Sequence, residues 1–153
     1  MTTLVDTNLL TRTLQPNHPL YVQSKEAMRA LRLNGDILAV VPQVIYEFWV
    51  VCTRPAAQNG LGLTITQCHL ELDNVLSLFV LFQDNATLFP EWRRLVMSHQ
   101  TAGKMAHDTR LVAAMHVHGI TRLLTFNSSD FQRYRSITVL SPQAVIAGAT
   151  LNP

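Results

Sequence analysis

The chain opens with the run TTLVDTN (residues 2–8), in which a short apolar strand ends on a carboxylate and a helix follows at once. Further short apolar runs recur, each separated from the next by a stretch with helical periodicity. Buried strands that alternate with helices are typical of a mostly parallel sheet covered on both faces. The sequence therefore predicts an α/β domain with a central sheet of four to five strands. The predicted strands are residues 2–6, 37–41, 79–82, 122–126 and 137–140.

Helix boundaries follow from local start and stop signals. A proline opens the helix that begins at Pro42, Thr64 and Gln67 form a capping box, and Gly119 is placed to end a helix. Between two of these helices, the glycine-rich stretch 56–63 is a candidate loop facing the substrate. The predicted helices are 7–14, 17–33, 42–53, 64–77, around 90–100, 105–118 and a short one from 141.

Composition bounds the class of protein. With 153 residues, 48% hydrophobic and 14% charged, the chain is one domain with an ample core, and a net charge of +2 does not by itself indicate nucleic acid. The folded domain is expected at 1–147, with a tail at 148–153. No signal peptide is evident, and the longest apolar run, 75–82, is too short for a membrane span. We therefore expect a cytoplasmic protein without membrane contact.

Four of the ten acidic residues stand in or beside apolar patterns. Asp6 ends the first strand, and Asp130 closes the turn after the strand at 122–126. Glu47 borders the apolar stripe of its helix, and Asp108 lies in the middle of another such stripe. Burying a carboxylate is costly unless positive charge meets it, so the four acids together predict a shared cation.

Each acid also has a simpler reading. Asp6 could cap the helix that begins after it, a role worth about 1 kcal/mol, and Asp130 could be a turn residue. Glu47 could pair with a nearby arginine, and Asp108 could do the same or pair with a lysine. The candidate partners are Arg54 for Glu47, and Arg110 or Lys104 for Asp108.

The predicted topology brings distant acids together. In parallel sheets the site lies beyond the carboxyl ends of the strands, where Asp6 and Asp130 both fall. Converging carboxylates repel, and either protons or a divalent cation must relieve this. A set of oxygen ligands favours Mg²⁺ or Mn²⁺ over zinc, and such a cation suits hydrolysis of a phosphodiester.

These residues carry a family resemblance. The sequence VDTN at 5–8, Glu47 within YEF, Asp108 ahead of an alanine-rich helix, and TFN at 125–127 followed by Asp130 occur in an order that resembles the PIN-domain ribonucleases. Among these the chain is most similar to the VapC-type toxins of bacterial toxin–antitoxin pairs. The resemblance extends to about residue 146 and implies a three-layer α/β/α sandwich.

The resemblance also implies roles for single residues. Asp6, Glu47, Asp108 and Asp130 would be the catalytic acids, and all but Glu47 would be metal ligands. Asn8, Thr125 and Asn127 would support the site, with Asn127 standing where many relatives have an aspartate. Among basic residues near the site, the candidates for RNA contact are Arg12, Lys104 and Arg110.

The resemblance thus implies a Mg²⁺- or Mn²⁺-dependent endoribonuclease toxin that forms a homodimer and is silenced by a small antitoxin. Two other readings stay open at this point. One is a phosphatase of the haloacid-dehalogenase type, whose chemistry needs a second aspartate at position 8, where this chain has Asn8. The other is a PIN-like binding module without catalysis.

Overall fold

The computed structural model describes residues 1–148. Except for Gly148, the predicted tail therefore lies outside the described residues. A five-stranded sheet is flanked by eight α-helices in the described part of the chain. The strands are β1 (Thr2–Val5), β2 (Ile37–Val40), β3 (Val80–Leu81), β4 (Arg122–Leu124) and β5 (Thr138–Leu140). The helices are α1 (Thr7–Arg12), α2 (Tyr21–Leu33), α3 (Pro42–Thr53), α4 (Ile65–Leu78), α5 (Leu88–Ser98), α6 (Met105–Val117), α7 (Ser128–Phe131) and α8 (Pro142–Ile146).

All strand pairings are parallel, in the order β3-β2-β1-β4-β5. The apolar side chains of β1, β2 and β4 are almost all buried, whereas both edge strands are partly exposed. Continuous apolar sequence in the central strands is what burial on both faces requires. The predicted α/β fold with a parallel sheet is confirmed.

The register of β1 against β4 sets up one edge of the sheet. Val5 pairs with Leu124, so that Asp6 and Thr125 are the next residues along these two strands. The backbone N–H of Asp6 still donates to the carbonyl of Leu124, at 3.0 Å. As a result, two residues 119 positions apart in sequence begin the loops on the same side of the molecule.

Several predicted boundaries differ from the observed ones. Helix α2 begins at Tyr21 because residues 17–20 form a separate turn, in which the Leu20 N–H donates to His18 Nδ1. Helix α4 has the predicted capping box but continues to Leu78, which leaves only two residues for β3. The residues around Asp130 form the short helix α7 instead of an open turn.

No helix within residues 1–148 is both long enough and apolar enough to cross a membrane. Cys52 and Cys68 are buried and are not joined in a disulfide.

Candidate active site

A cleft of about 650 Å³ opens at the carboxyl edge of the sheet. The loops after β1 and β4 form its floor, and helices α1, α3 and α6 supply its walls. All four predicted acids line it. The other lining residues are Thr7, Asn8, Thr11, Arg12, Tyr46, Val50, Val51, Arg54, Asn59, Asn127 and Phe131. The parallel topology thus gathers in one cleft acids that are far apart in sequence.

Asp6 is the most buried acid of the cleft, with 9% of its surface exposed. Its carboxylate accepts hydrogen bonds from the Thr125 hydroxyl at 2.7 Å and from the backbone N–H of Thr7, also at 2.7 Å. Burial raises the pKa of Asp6 from 3.8 to about 6, although both hydrogen bonds act to lower it. The nearby charges of Glu47 and Asp108 raise the pKa further. Asp6 therefore does cap α1, and it also sits in an uncompensated acidic environment.

Asn8 and Thr125 hold Asp6 in place. The Asn8 amide donates to both Asp6 Oδ2 and Thr125 Oγ1 at 3.3 Å, and its oxygen accepts from the backbone N–H of Phe126. Thr125 Oγ1 also accepts from the backbone N–H of Asn127, at 3.0 Å. These bonds tie the loop after β1 to the loop after β4. Every donor to the Asp6 carboxylate in this network is neutral.

Glu47 belongs to a chain of side-chain contacts along the wall of the cleft. Its two carboxylate oxygens accept from Thr7 Oγ1 and from Gln43 Nε2, both at 3.0 Å. The Gln43 oxygen accepts from Arg110, and Arg110 forms an ion pair with Asp84 at 2.7 Å. Glu47 is thus oriented by a hydroxyl and an amide, while Arg110, which also bonds Gln43, pairs with Asp84.

Asp108 and Asp130 complete the acidic lining. Asp108, in the first turn of α6, is half-buried, and Asp130 is exposed on α7. Burial raises the pKa of Asp108, and the charges of Asp130 and Glu47 raise it further. His107 and Arg133 lower it by a smaller amount. Mutual repulsion among the acids therefore adds to the effect of burial.

The degree of burial differs from the sequence expectation. Only Asp6 is fully buried, whereas Glu47 and Asp130 are exposed at the cleft surface. For Glu47 the difference has a simple cause. Neighbouring residues on a helix point about 100° apart, so an acid that borders an apolar stripe can still face solvent. None of the ion pairs considered for Glu47 and Asp108 forms among residues 1–148. Arg110, one of the candidate partners, pairs with Asp84 instead.

The three basic residues considered for RNA contact are placed differently from one another. Arg12 lines the cleft, whereas Lys104 is exposed just before α6 and lies outside the lining, as does Arg110. The sequence interpretation did not identify Arg54 or Tyr46 as contacts, although both line the cleft.

Gln43 was also missed as a residue that orients Glu47. The sequence did contain a signal for this contact. Gln43 and Glu47 are four positions apart on α3, and residues at that spacing on a helix lie side by side.

The donor set fits a hard divalent cation in its chemistry. Carboxylate, hydroxyl and amide oxygens surround the cleft, as Mg²⁺ and Mn²⁺ prefer. Within residues 1–148, however, no three acidic, histidine or cysteine side chains are close enough to form a ready-made cage. Mg²⁺ keeps several waters and needs only one or two direct carboxylates, so such a cage is not required. The uncompensated charge at Asp6 and Asp108 is the observation that favours a cation here.

No family model and no curated protein matches the sequence at a significant level. Solved structures do match. One is the structure of VapBC2 from Rickettsia felis bound to a DNA fragment from their promoter, with 16% identity, a TM-score of 0.68, and coverage of 92% of this chain and 98% of the other. Another is VapBC-1 from nontypeable Haemophilus influenzae, with 13% identity, a TM-score of 0.67, and coverage of 94% and 99%.

A third similar structure is a toxin–antitoxin complex from Klebsiella pneumoniae, with 19% identity and a TM-score of 0.61. It covers 92% of this chain and 97% of the matched chain. Likeness over nearly the full length of both chains shows that they share one fold. The PIN-like sandwich that the sequence resemblance implied is therefore confirmed as the fold of this chain.

Proposed function

We propose that this chain is a VapC-type toxin of a type II toxin–antitoxin pair, acting as a Mg²⁺- or Mn²⁺-dependent endoribonuclease. The observation that carries the proposal is the convergence of Asp6, Glu47, Asp108 and Asp130 on one cleft, where neutral donors alone hold Asp6. Further support comes from the fold, which is shared with chains of solved toxin–antitoxin complexes.

In the proposed mechanism Asp6, Asp108 and Asp130 would hold the cation, which would supply positive charge near the phosphate oxygens and make the attacking water more acidic. Glu47 accepts a proton from the attacking water or orients it, with its carboxylate fixed by Thr7 and Gln43. The water oxygen forms a bond to phosphorus, the bond to the leaving sugar oxygen breaks, and that oxygen takes a proton from solvent.

A cleavage assay tests this proposal. A labelled single-stranded RNA is incubated with the protein in Mg²⁺, in Mn²⁺, or in EDTA. We expect cleavage only with the metal, and Asp6→Asn should lower the rate by about 10²-fold or more, because loss of a preorganised charge weakens transition-state stabilisation. The control is Asp73→Asn, the same change at an exposed acid on α4 outside the cleft. Unchanged cleavage by Asp6→Asn would reject the mechanism.

The same samples separate the two other readings. Hydrolysis of a phosphomonoester without RNA cleavage would indicate a phosphatase, but Asn8 donates its amide to Asp6 and has no proton to give a leaving group. Metal binding in calorimetry without either activity would indicate a binding module.

We further propose a small antitoxin and a second copy of this chain as protein partners. The support for the antitoxin is that the similar solved structures are toxin–antitoxin complexes. The chain is co-expressed with the product of a short neighbouring gene and purified. Light scattering on the purified material then measures whether it binds that product and whether it forms a dimer. A monomer with no partner under these conditions would contradict this part.

A further inference from the structure

Two arginines of the cleft lack a carboxylate partner in the described part of the chain. Arg12 and Arg54 line the acidic cleft, yet within residues 1–148 neither lies within ion-pair distance of a carboxylate. By contrast, the chain pairs four other arginines with an acid: Arg29, Arg94, Arg110 and Arg122. The cleft thus holds guanidiniums and carboxylates that do not neutralise each other.

The hydrogen bonds of these two arginines are incomplete. Arg12 donates through Nη1 to Gln15 Oε1 at 2.6 Å, and Arg54 donates through Nη2 to the Asn59 carbonyl at 3.1 Å. The Nε atom of each is shielded from water and has no acceptor among the described residues. Each guanidinium carries further N–H donors besides the one used in these bonds, and a guanidinium can present two parallel donors to a phosphate.

The turn after α3 holds Arg54 in place. A Cβ atom added at Gly60 would lie 1.9 Å from the Arg54 carbonyl oxygen, so only glycine allows the turn to fold back this closely. Asn59, with a φ of 62°, then presents its carbonyl to the guanidinium. The glycine-rich stretch 56–63 is held against α3 by backbone hydrogen bonds from the N–H groups of Leu61 and Leu63. Arg54 is therefore oriented before any ligand arrives.

Helix α3 adds an aromatic surface to the same wall. Tyr46, Val50 and Arg54 lie four residues apart along the cleft-facing side, with Tyr46 64% exposed and Val50 55% exposed. An exposed ring can stack on a base only when that base is not already stacked in a duplex. Because the four carboxylates repel a phosphate backbone, cationic side chains on the wall are needed to hold one.

We propose that Arg12, Tyr46 and Arg54 form a binding wall for single-stranded RNA beside the catalytic acids. The two guanidiniums bind backbone phosphates, and the Tyr46 ring stacks on an unpaired base. The inference rests on the proposed function for the identity of the ligand. It assigns RNA binding to three residues other than the acids.

Binding is measured in EDTA, where cleavage does not interfere. The anisotropy of a labelled single-stranded RNA gives Kd at several salt concentrations for the wild type, Arg12→Gln and Arg54→Gln. Each substitution should weaken binding about tenfold, as expected for the loss of a charged hydrogen bond. Each should also reduce the slope of log Kd against log salt by about 0.7, because one phosphate contact with a single strand is lost.

Three further variants make the test specific. Arg29→Gln removes the same charge from an exposed ion pair outside the cleft and should leave the salt slope unchanged. Tyr46→Ala should weaken binding about tenfold without changing the slope, because stacking is not ionic. Tyr46→Phe should bind as the wild type does. Thermal melting confirms that each variant is folded.

The inference is overturned if both arginine variants keep the wild-type salt slope, if Tyr46→Ala binds normally, or if duplex RNA binds as tightly as the single strand. Its failure can be told apart from failure of the proposed function. Wild-type binding that depends on the wall, without cleavage in Mg²⁺, rejects the nuclease and keeps the binding wall. If the wild type cleaves RNA in Mg²⁺ and the wall variants bind RNA as the wild type does, the binding wall is rejected and the nuclease is kept.

Discussion

The two edges of the central strands place acids in opposite electrostatic surroundings. At the amino edge, Asp36 precedes β2 and forms an ion pair with Arg122 of β4 at 3.0 Å, with both side chains almost fully buried. The Asp36 carboxylate also accepts from the Thr3 hydroxyl and lies 3.4 Å from the amino group of Met1. At the carboxyl edge, Asp6 follows β1, and the charges that raise its pKa are those of other carboxylates.

The difference separates structural acids from functional ones within a single sheet. A buried carboxylate with a cationic partner is already compensated and has little affinity left for an external cation. A buried carboxylate with only neutral donors and acidic neighbours is uncompensated until a proton or a cation arrives. The contrast in partners thus identifies the carboxyl edge as the side able to gain most from a bound cation.

The largest effect on this comparison should come from breaking the pair at the amino edge. Arg122→Leu leaves Asp36 buried without its main partner and should lower the free energy of unfolding by about 3–5 kcal/mol. Urea unfolding measures the change. In the double variant with Asp36→Leu as well, most of the loss should be recovered, because no buried charge is then left alone. If Arg122→Leu alone is neutral, the pair is not the compensated structural element described above.

A smaller effect, which depends on pH, is expected at the carboxyl edge. Because the pKa of Asp6 is raised from 3.8 to about 6, the metal-free folded state holds this proton more tightly than the unfolded chain does. Its ionisation therefore lowers stability above pH 6, and stability is regained as the pH falls toward 3.8. Across that range the stability difference between wild type and Asp6→Asn should change by about 3 kcal/mol.

Unfolding in EDTA at several pH values tests this response, with Asp73→Asn as the matched control. A pH-independent difference between wild type and Asp6→Asn would mean that Asp6 is compensated as Asp36 is.

The smallest effect concerns an acid away from both edges. On α5, hydrogen bonds from Arg94 and His116 lower the pKa of Glu91 to about 2, against some opposing effect of burial. Its contribution to stability is therefore present above pH 4.5 and is lost as the pH falls toward 2. Arg94→Gln should reduce the free energy of unfolding that is lost on acidification by less than about 1 kcal/mol. The effect is small because the Glu91–Arg94 ion pair lies near water. In an acid titration, the unfolding free energies of the two proteins should differ above pH 4.5 and should converge as the pH falls below that value.

Features that depend on local sequence pattern could be predicted, whereas features that depend on contacts between distant residues could not. Periodicity predicted β1 and α3, and the rule for parallel sheets placed Asp6 near Asp130, because both depend on local pattern and topology. The exposure of Glu47 was not predictable, because a shift of one position on a helix changes which way a side chain faces.

Contacts that depend on tertiary geometry could not be predicted from the sequence. The pair Asp36–Arg122 joins residues 86 positions apart, and no local signal marks it. The placement of Arg54 depends on how closely the turn at Gly60 folds back, which is set by backbone angles and not by composition.

The position of β1 between β2 and β4 also governs when the site can exist during synthesis. Asp6 emerges early from the ribosome, but the Thr125 hydroxyl that holds it comes 119 residues later. A nascent chain that has reached Asp108 carries three of the acids and lacks the strand that closes the cleft. The cleft with all four acids is therefore complete only after β4 and α7 have been translated and docked.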